Sequence, residues 1–289
     1  MKRLNKMRLI PLLLTLLLLV MMAAPASVMA AQSTVELGKT SSFAVLAGTT
    51  ITNTGPTTIS GSLPGGGDIG LHDGTAFTGQ ADVTMTDGQA YLSDDAGVAL
   101  DAKNALIVAY DDAAGRTPFT PIPSELGGKT LVPGVYRSNT GFKITGTLTL
   151  DAQGDPDGVF IFQSDSTLTA ESYSRVELIN SARYCRVFWQ VTSSATLKTY
   201  SHFVGHIFAM QSIAAQTGAT VQGQLLARNG AVTLDTNTII NGPCITPISN
   251  GNTGTNGSAN SKTGDSSMNT EIILYLYCHL NLYCHLKSV

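Results

Sequence analysis

Within residues 187–242 a short motif occurs three times at nearly constant spacing: TYSHFVG at 199–205, TGATVQG at 217–223 and TNTIING at 236–242. The leading threonine returns after 18 and then 19 residues, and each copy ends in glycine. The runs VFWQV, HIFAM and QLLAR around them are apolar and bounded by Ser, Gly, Asn and Thr, so they read as short strands joined by turns. A unit of about 18 residues cannot bury its own apolar side chains and must stack on its neighbours to share one core. The repeat therefore predicts a β-solenoid.

The rest of the chain is placed relative to that stack. A fourth copy, Thr54-Gly-Pro-Thr57, lies far upstream, with Gly61 four residues beyond its second threonine. If it joins the same stack, the chain starts a coil near its N-terminus, leaves it and returns. The departure covers 63–115. The Gly-rich SLPGGGDIGLHDGTAFTGQ reads as an irregular loop, and Gly65, Gly66 and Gly67 within it lack the Lys-Ser/Thr of a phosphate loop. Beyond it, Tyr91, Val98, Ala102, Leu106 and Tyr110 fall near helical spacing. That predicts one long helix over about 87–114, acidic at its N-terminal end as the macrodipole favours and packed along the stack's axis. RTPFTPIPSELGG, with Pro118, Pro121 and Pro123, crosses back, and in GTLTL, DGVFIF and DSTLT the strand pattern resumes.

Residues 1–31 have the form of a secretory signal: Lys2, Arg3, Lys6 and Arg8, an apolar run, then small residues ending Ala30-Ala31. Its removal leaves 13 basic residues against 20 acidic ones, a net charge of −7. No basic stripe remains for nucleic acid, and no stable membrane insertion is expected after cleavage. Residues 32–247 are expected to form one β-rich exported domain.

Several stretches together resemble a known family: LGKTSSFAVLAGTTITNTGPTTISG, the helix ending YDDAAGR, LVPGVYRSNTGFKITGTLTLDAQGDPDGVFIFQ, CRVFWQVTSSATL and LLARNGAVTLDTNTI. They are similar, in this order, to the microbial ice-binding proteins. The resemblance implies an irregular right-handed β-solenoid of triangular coils, discontinuous in sequence, with a long helix packed along its axis. It also implies a flat face bearing Thr-(Ala/Gly)-x-(Thr/Asn) in successive coils. Thr217-Gly-Ala-Thr220 and Thr54-Gly-Pro-Thr57 match that pattern, while 199–202 and 236–239 match only at Thr199 and Thr236. The candidate ice-binding residues are thus Thr54, Thr57, Thr199, Thr217, Thr220 and Thr236. Thr140-Gly-Phe-Lys143 and Thr169-Ala-Glu-Ser172 depart from the pattern, and Lys143, Glu171 and Tyr200, if they point outward, roughen such a face.

Cys185 and Cys244 bracket the repeats of an exported chain and are expected to form a disulfide. Other groupings carry blander readings. His202 and His206 are four apart but lie on strand and turn, so they read as structural. Asp151, Asp155 and Asp157 suggest a calcium loop but lack its closing glutamate and read as a polar turn. Asp94, Asp95, Asp111 and Asp112 read as a solvated helix face. No cofactor or metal is expected.

Residues 248–270, rich in Asn, Gly, Ser and Thr, read as a flexible linker. NSKTGD within it resembles a cell-wall sorting signal without its Leu-Pro. The atypical tail 271–289 duplicates LYCHL around Cys278, His279, Cys284 and His285, and its apolar run is too short to span a membrane. It reads as a lost anchor, leaving cell-wall association open. The expected function is a non-enzymatic, secreted, monomeric protein that adsorbs to an ice crystal surface and limits its growth. The alternative is a cell-surface adhesin that binds a surface glycan or another cell. A third reading, a sugar-cleaving β-helix, needs clustered acids, and the acids here are scattered.

Overall fold

The computed structural model describes residues 32–61, 65–92 and 97–244. The signal at 1–31, the linker at 248–270, the tail at 271–289, and Asp94 and Asp95 lie outside the described residues. Short parallel strands, with a partial turn at 120–131 paired against one end, wind into seven full stacked coils. In stack order these are 134–151, 160–179, 187–204, 206–222, 224–240, 43–60 and 68–86, here coils 1 to 7. The N-terminal coils 6 and 7 thus sit beyond the C-terminal coil 5: Val45 pairs with Leu225, Thr52 with Thr233, and Thr58 with Thr238. The Gly-rich stretch expected to be an irregular loop contains strands Asp68–Leu71 and Ala76–Thr78 of coil 7. Alternation there is masked because a strand of four residues offers only two inward positions.

Each coil contributes to three faces. Face a holds Gly134–Ser138, Phe160–Ser164, Val187–Val191, the later halves of His202–Ala209 and Thr220–Ala227, Phe43–Ala47 and Asp68–Leu71. Most residues of these strands are buried, polar ones such as Gln163, Gln190 and Gln224 included, because both sides are covered. One side carries Phe162, Trp189, Ile207 and Leu225 into the solenoid. The other carries Val135, Ile161, Phe188, Phe208, Leu226 and Leu46 against a helix. The two long strands begin on another face, here face c, with Thr147–Asp151, Arg175–Ile179, Thr238–Ile240, Thr57–Ser60 and Val83–Thr86; they run on into face a, and at that corner Gly205 and Gly223 stack. A Cβ on Gly223 would lie 2.0 Å from the Gly205 carbonyl oxygen, so the turn requires glycine in both coils.

The helix, α1, runs Val98–Gly115. It begins at Val98 and not near Asp87: Asp87 has a positive φ of 55°, Ala90–Tyr91 form a strand, and Tyr91 packs on Phe43 with ring centroids 5.8 Å apart. Tyr91 shares the helical period by coincidence with a core position on another element. At 1.5 Å per residue, α1 spans about 27 Å, or five to six interstrand spacings. It lies across face a, contacting strands of coils 2, 3, 6 and 7. This is the path a chain needs when it must return from one end of a stack to the other. Ala102, Leu106, Ala109 and Ala113 are fully buried, the three small alanines admitting the helix close to the sheet. Polar side chains fix it: Lys103 Nζ donates to the carbonyls of Ala227 and Arg228, Gln190 Nε2 to Tyr110 Oη at 2.7 Å, and Gln163 Nε2 to the Ala113 carbonyl at 2.9 Å. Burial holds the Lys103 pKa down to about 8, with Asp73 opposing.

His206 lies on the outer side of face a, its ring 5.3 Å from Phe188 and 5.9 Å from Tyr184. Burial, partly opposed by Gln224 on the adjacent strand, holds its pKa down to about 4. The unfolded imidazole titrates near 6.5, so over the interval between the two values the unfolded chain binds more protons and stability falls with falling pH. The stabilisation is complete above about pH 6.5 and is lost as pH drops through 4, by on the order of 3 kcal/mol. Denaturant melts between pH 7 and 4 are expected to show this loss, and His206→Gln to flatten that part of the profile.

Candidate functional site

Two faces remain open to solvent, b and c. Face b is one sheet of seven strands: Phe142–Ile144, Leu168–Ala170, Ala195–Leu197, Ile213–Ala215, Val232–Asp235, Thr50–Thr54 and Ala76–Thr78. Its register runs unshifted from coil to coil. In each strand one residue points out between two inward neighbours. That outward position is Lys143, Thr169, Thr196, Ala214, Thr233, Thr52 and Thr78 in stack order. Two residues before it lies a second row of small side chains: Thr167, Ser194, Ser212, Ala231, Thr50 and Ala76. Ser194 and Ser212 each accept the amide of the next coil, Ser212 N–H at 3.3 Å and Ala231 N–H at 3.1 Å, so these hydroxyls are pinned to the backbone.

Charge gathers along the margin where face b turns into face c. Glu171 accepts from Lys198 Nζ at 2.7 Å and lies 3.7 Å from Lys143. Lys198 holds its carboxyl below the usual carboxylate range. Lys143 and Tyr200 do point outward, and Lys143 places a charge at the coil 1 end of the central row.

The threonines singled out by the repeat do not share one row. Thr199 and Thr217 stand on the margin, where Thr217 Oγ1 donates to Asp235 Oδ2 at 2.5 Å. Thr54 ends its face b strand, opposite Asp235. Thr236 occupies a left-handed turn position with φ 53°, and its hydroxyl donates to Asp235 Oδ1 at 3.0 Å. Thr57 turns inward: it is 1% exposed, and its Oγ1 accepts the Asn237 amide at 3.0 Å. It cannot touch a surface ligand, and its neighbour Thr58 points out in its place.

Thr220 belongs to face c, in a row with Thr147, Arg175, His202, Thr238, Thr58 and Thr84. Arg175 and Glu177 are exposed on that face, 3.6 Å apart, and Ile240 is exposed too. Face c is therefore chemically mixed where the second row of face b, and its central row from Thr169 to Thr78, are not. The central row of face b had a readable signal. Threonine sits between two inward-facing residues in LTA, ATL, VTL and ITN, which is the strand period and not the Thr-x-x-Thr spacing.

The remaining groupings have structural partners. Cys185 and Cys244 form a disulfide with Cα atoms 5.6 Å apart. His202 Nδ1 lies 2.7 Å from Thr220 Oγ1, while His206 is buried. Asp151 and Asp155 accept backbone amides two residues on, and Asp157 pairs with Arg186 at 2.8 Å. Asp112 pairs with Arg116 and Asp111 with Arg228. Among the described residues no three His, Cys, Asp or Glu side chains group as metal ligands. Among them, too, no helix is long and apolar enough to cross a membrane.

A β-solenoid with one face under a helix and another ruled by rows of Thr, Ser and Ala is the architecture of a surface-adsorbing scaffold. The chain belongs to the ice-binding-like family, whose model matches residues 45–240. It is 42% identical over 207 residues to an ice-binding protein of Nostoc sp. (strain HG1), covering 71% of this chain and 73% of that one. It is 34% identical to ice-binding protein 1 of Shewanella frigidimarina (strain NCIMB 400), covering 71% of this chain but 26% of that longer protein. Among solved structures, an ice-binding protein from an Antarctic biological consortium superposes with a TM-score of 0.69 at 39% identity, covering 73% of this chain and 93% of that one.

Proposed function

We propose that the chain binds ice through face b, acting outside the cell as a monomer without catalysis, and so restrains crystal growth. The observation that carries this is the pair of uncharged rows, Thr167 to Ala76 and Thr169 to Thr78, in unshifted register over six coils. Parallel strands repeat at about 4.8 Å. Each threonine on a rigid strand fixes a hydroxyl, which anchors a water, beside a methyl, which water must cage. Repeated in two dimensions, such groups hold a water layer ordered enough to merge with a crystal. Lys or Glu in the same place would bind water in its own orientation and hold the lattice off. This assigns Thr52, Thr78, Thr169, Thr196 and Thr233 the central contact, with Thr54, Thr199 and Thr217 along its margin. The form of residues 1–31 supports export.

The test compares two faces of one coil. Thr233→Tyr raises a ring from the middle of face b, whereas Thr238→Tyr does so on face c. Thr233→Tyr is expected to lose nearly all of the gap between melting and freezing points and to leave crystals unshaped, with its melting curve unchanged. Thr238→Tyr is expected to retain both activities. The reverse outcome would transfer the site to face c.

A further inference from the structure

At the corner between faces b and c, one residue per coil takes the left-handed conformation that suits glycine. In coils 1, 4 and 6 it is Gly146, Gly218 and Gly55, and in coil 5 it is Thr236. In coils 2 and 3 it is Tyr173, at φ 61°, and Tyr200, at φ 55°. Bulky residues are rare there because of the clash their Cβ makes. Both rings are also held in solvent, 69% and 47% exposed. The fold does not need them, since other coils make the same corner with glycine, and strain kept without structural use points to function.

The rings form a step. Tyr200 lies over Gly218, where an added Cβ would come within 2.4 Å of it. Tyr173 stacks on Tyr200 with centroids 5.5 Å apart and planes 30° from parallel. Both therefore lean the same way along the stack, leaving the far side of the Tyr173 ring facing the next corner. That corner is Gly146, where an added Cβ would meet nothing within 4 Å. The ring is the riser of the step and Gly146 its floor. Thr145, Thr147, Lys143 and Arg175 border it. The nearby charges balance: Lys143 and Lys198 with Glu171, and Arg175 with Glu177, while Glu125 accepts the Thr145 hydroxyl at 2.9 Å.

We propose that this step is a subsite for a neutral polysaccharide, with one pyranose ring stacked on Tyr173. The electron-rich aromatic face attracts the partly positive C–H groups of the flat side of the sugar. Its equatorial hydroxyls then reach the hydroxyls, ammonium and guanidinium at the rim. Because the charges around the step cancel, a polyanion gains nothing there, and a neutral glycan fits it best. The site adjoins face b only at Lys143, the charged coil 1 end of its central row, and does not rest on the ice-binding reading.

Native electrophoresis of the full chain through gels containing a soluble β-1,4-glucan derivative, dextran or alginate tests this. The wild type is expected to be retarded by at least one neutral glucan and not by alginate. Tyr173→Gly is expected to weaken that retardation by roughly tenfold or more. Glycine suits the corner, so its melting temperature should stay level or rise, and ice shaping should persist. Absence of retardation in both neutral gels, retardation by alginate alone, or unchanged retardation of Tyr173→Gly would overturn the proposal. So would loss of ice shaping in a folded Tyr173→Gly chain, which would assign the ring to the ice face.

Discussion

Trp189→Ala is expected to destabilise the domain by about 3–5 kcal/mol and to lower its melting temperature by on the order of 10 °C, read by calorimetry. Trp189 is completely buried in coil 3 and is the centre of an aromatic column. It stacks on Phe162 at 3.9 Å, with planes 10° apart, and packs on Phe203 at 5.1 Å and edge-on to Phe142. Its Nε1 donates to the Val204 carbonyl at 3.0 Å, just before the Gly205 corner. Truncation removes the packing and leaves a buried carbonyl unpaired, two losses of different kind. Trp189→Phe keeps most of the first and none of the second, so it is expected to lose less.

Cys185→Ser with Cys244→Ser is expected to destabilise the domain by about 4 kcal/mol in the chain-entropy model, measured as a shift in denaturant midpoint. The two residues are 59 apart in sequence, and the closed loop contains the whole of coils 3, 4 and 5. Reduction of the wild type should give the same shift. An unchanged midpoint in either experiment would show that stacking alone holds the last coil.

The stack, its discontinuity and the covering helix could be read in the sequence because each depends on a pattern that nothing else produces. Threonines recurring at 18 and 19 residues, an isolated fourth copy, and apolar residues from Val98 to Tyr110 at helical spacing are of this kind. The start of the helix could not be read, because Tyr91 has the period of a helix residue and the environment of a strand residue. The repeat could not sort its threonines into rows for a related reason. From the last inward residue of face b to the left-handed corner, the chain takes three steps in coils 2, 3 and 4, Ala170 to Tyr173, Leu197 to Tyr200 and Ala215 to Gly218. In coils 5 and 6, Leu234 to Thr236 and Asn53 to Gly55, it takes two. A repeat counted in residues therefore slides between rows. Thr236 aligns by sequence with Thr217 but lies in space where Gly218 would be, and Thr57 aligns with Thr220 but faces inward. Turn length is set by local backbone geometry and is not encoded in any spacing of threonines.

The insertion of coils 6 and 7 beyond coil 5 also dictates an order of assembly. Residues 43–86 are made early, yet, apart from Ala90–Tyr91 beside Asp68–Leu71, their strand partners outside themselves lie at residues 225–240. The segment must wait, with half of its sheet edges open, until the last coil exists. Closing that junction brings together residues about 180 apart, a slow, non-local step. The row from Thr169 to Thr78 is interrupted between Thr233 and Thr52 until the junction closes. On the proposed assignment of that row to ice, a chain that has not finished folding offers a crystal only part of it, and adsorption becomes a property of the completed molecule alone.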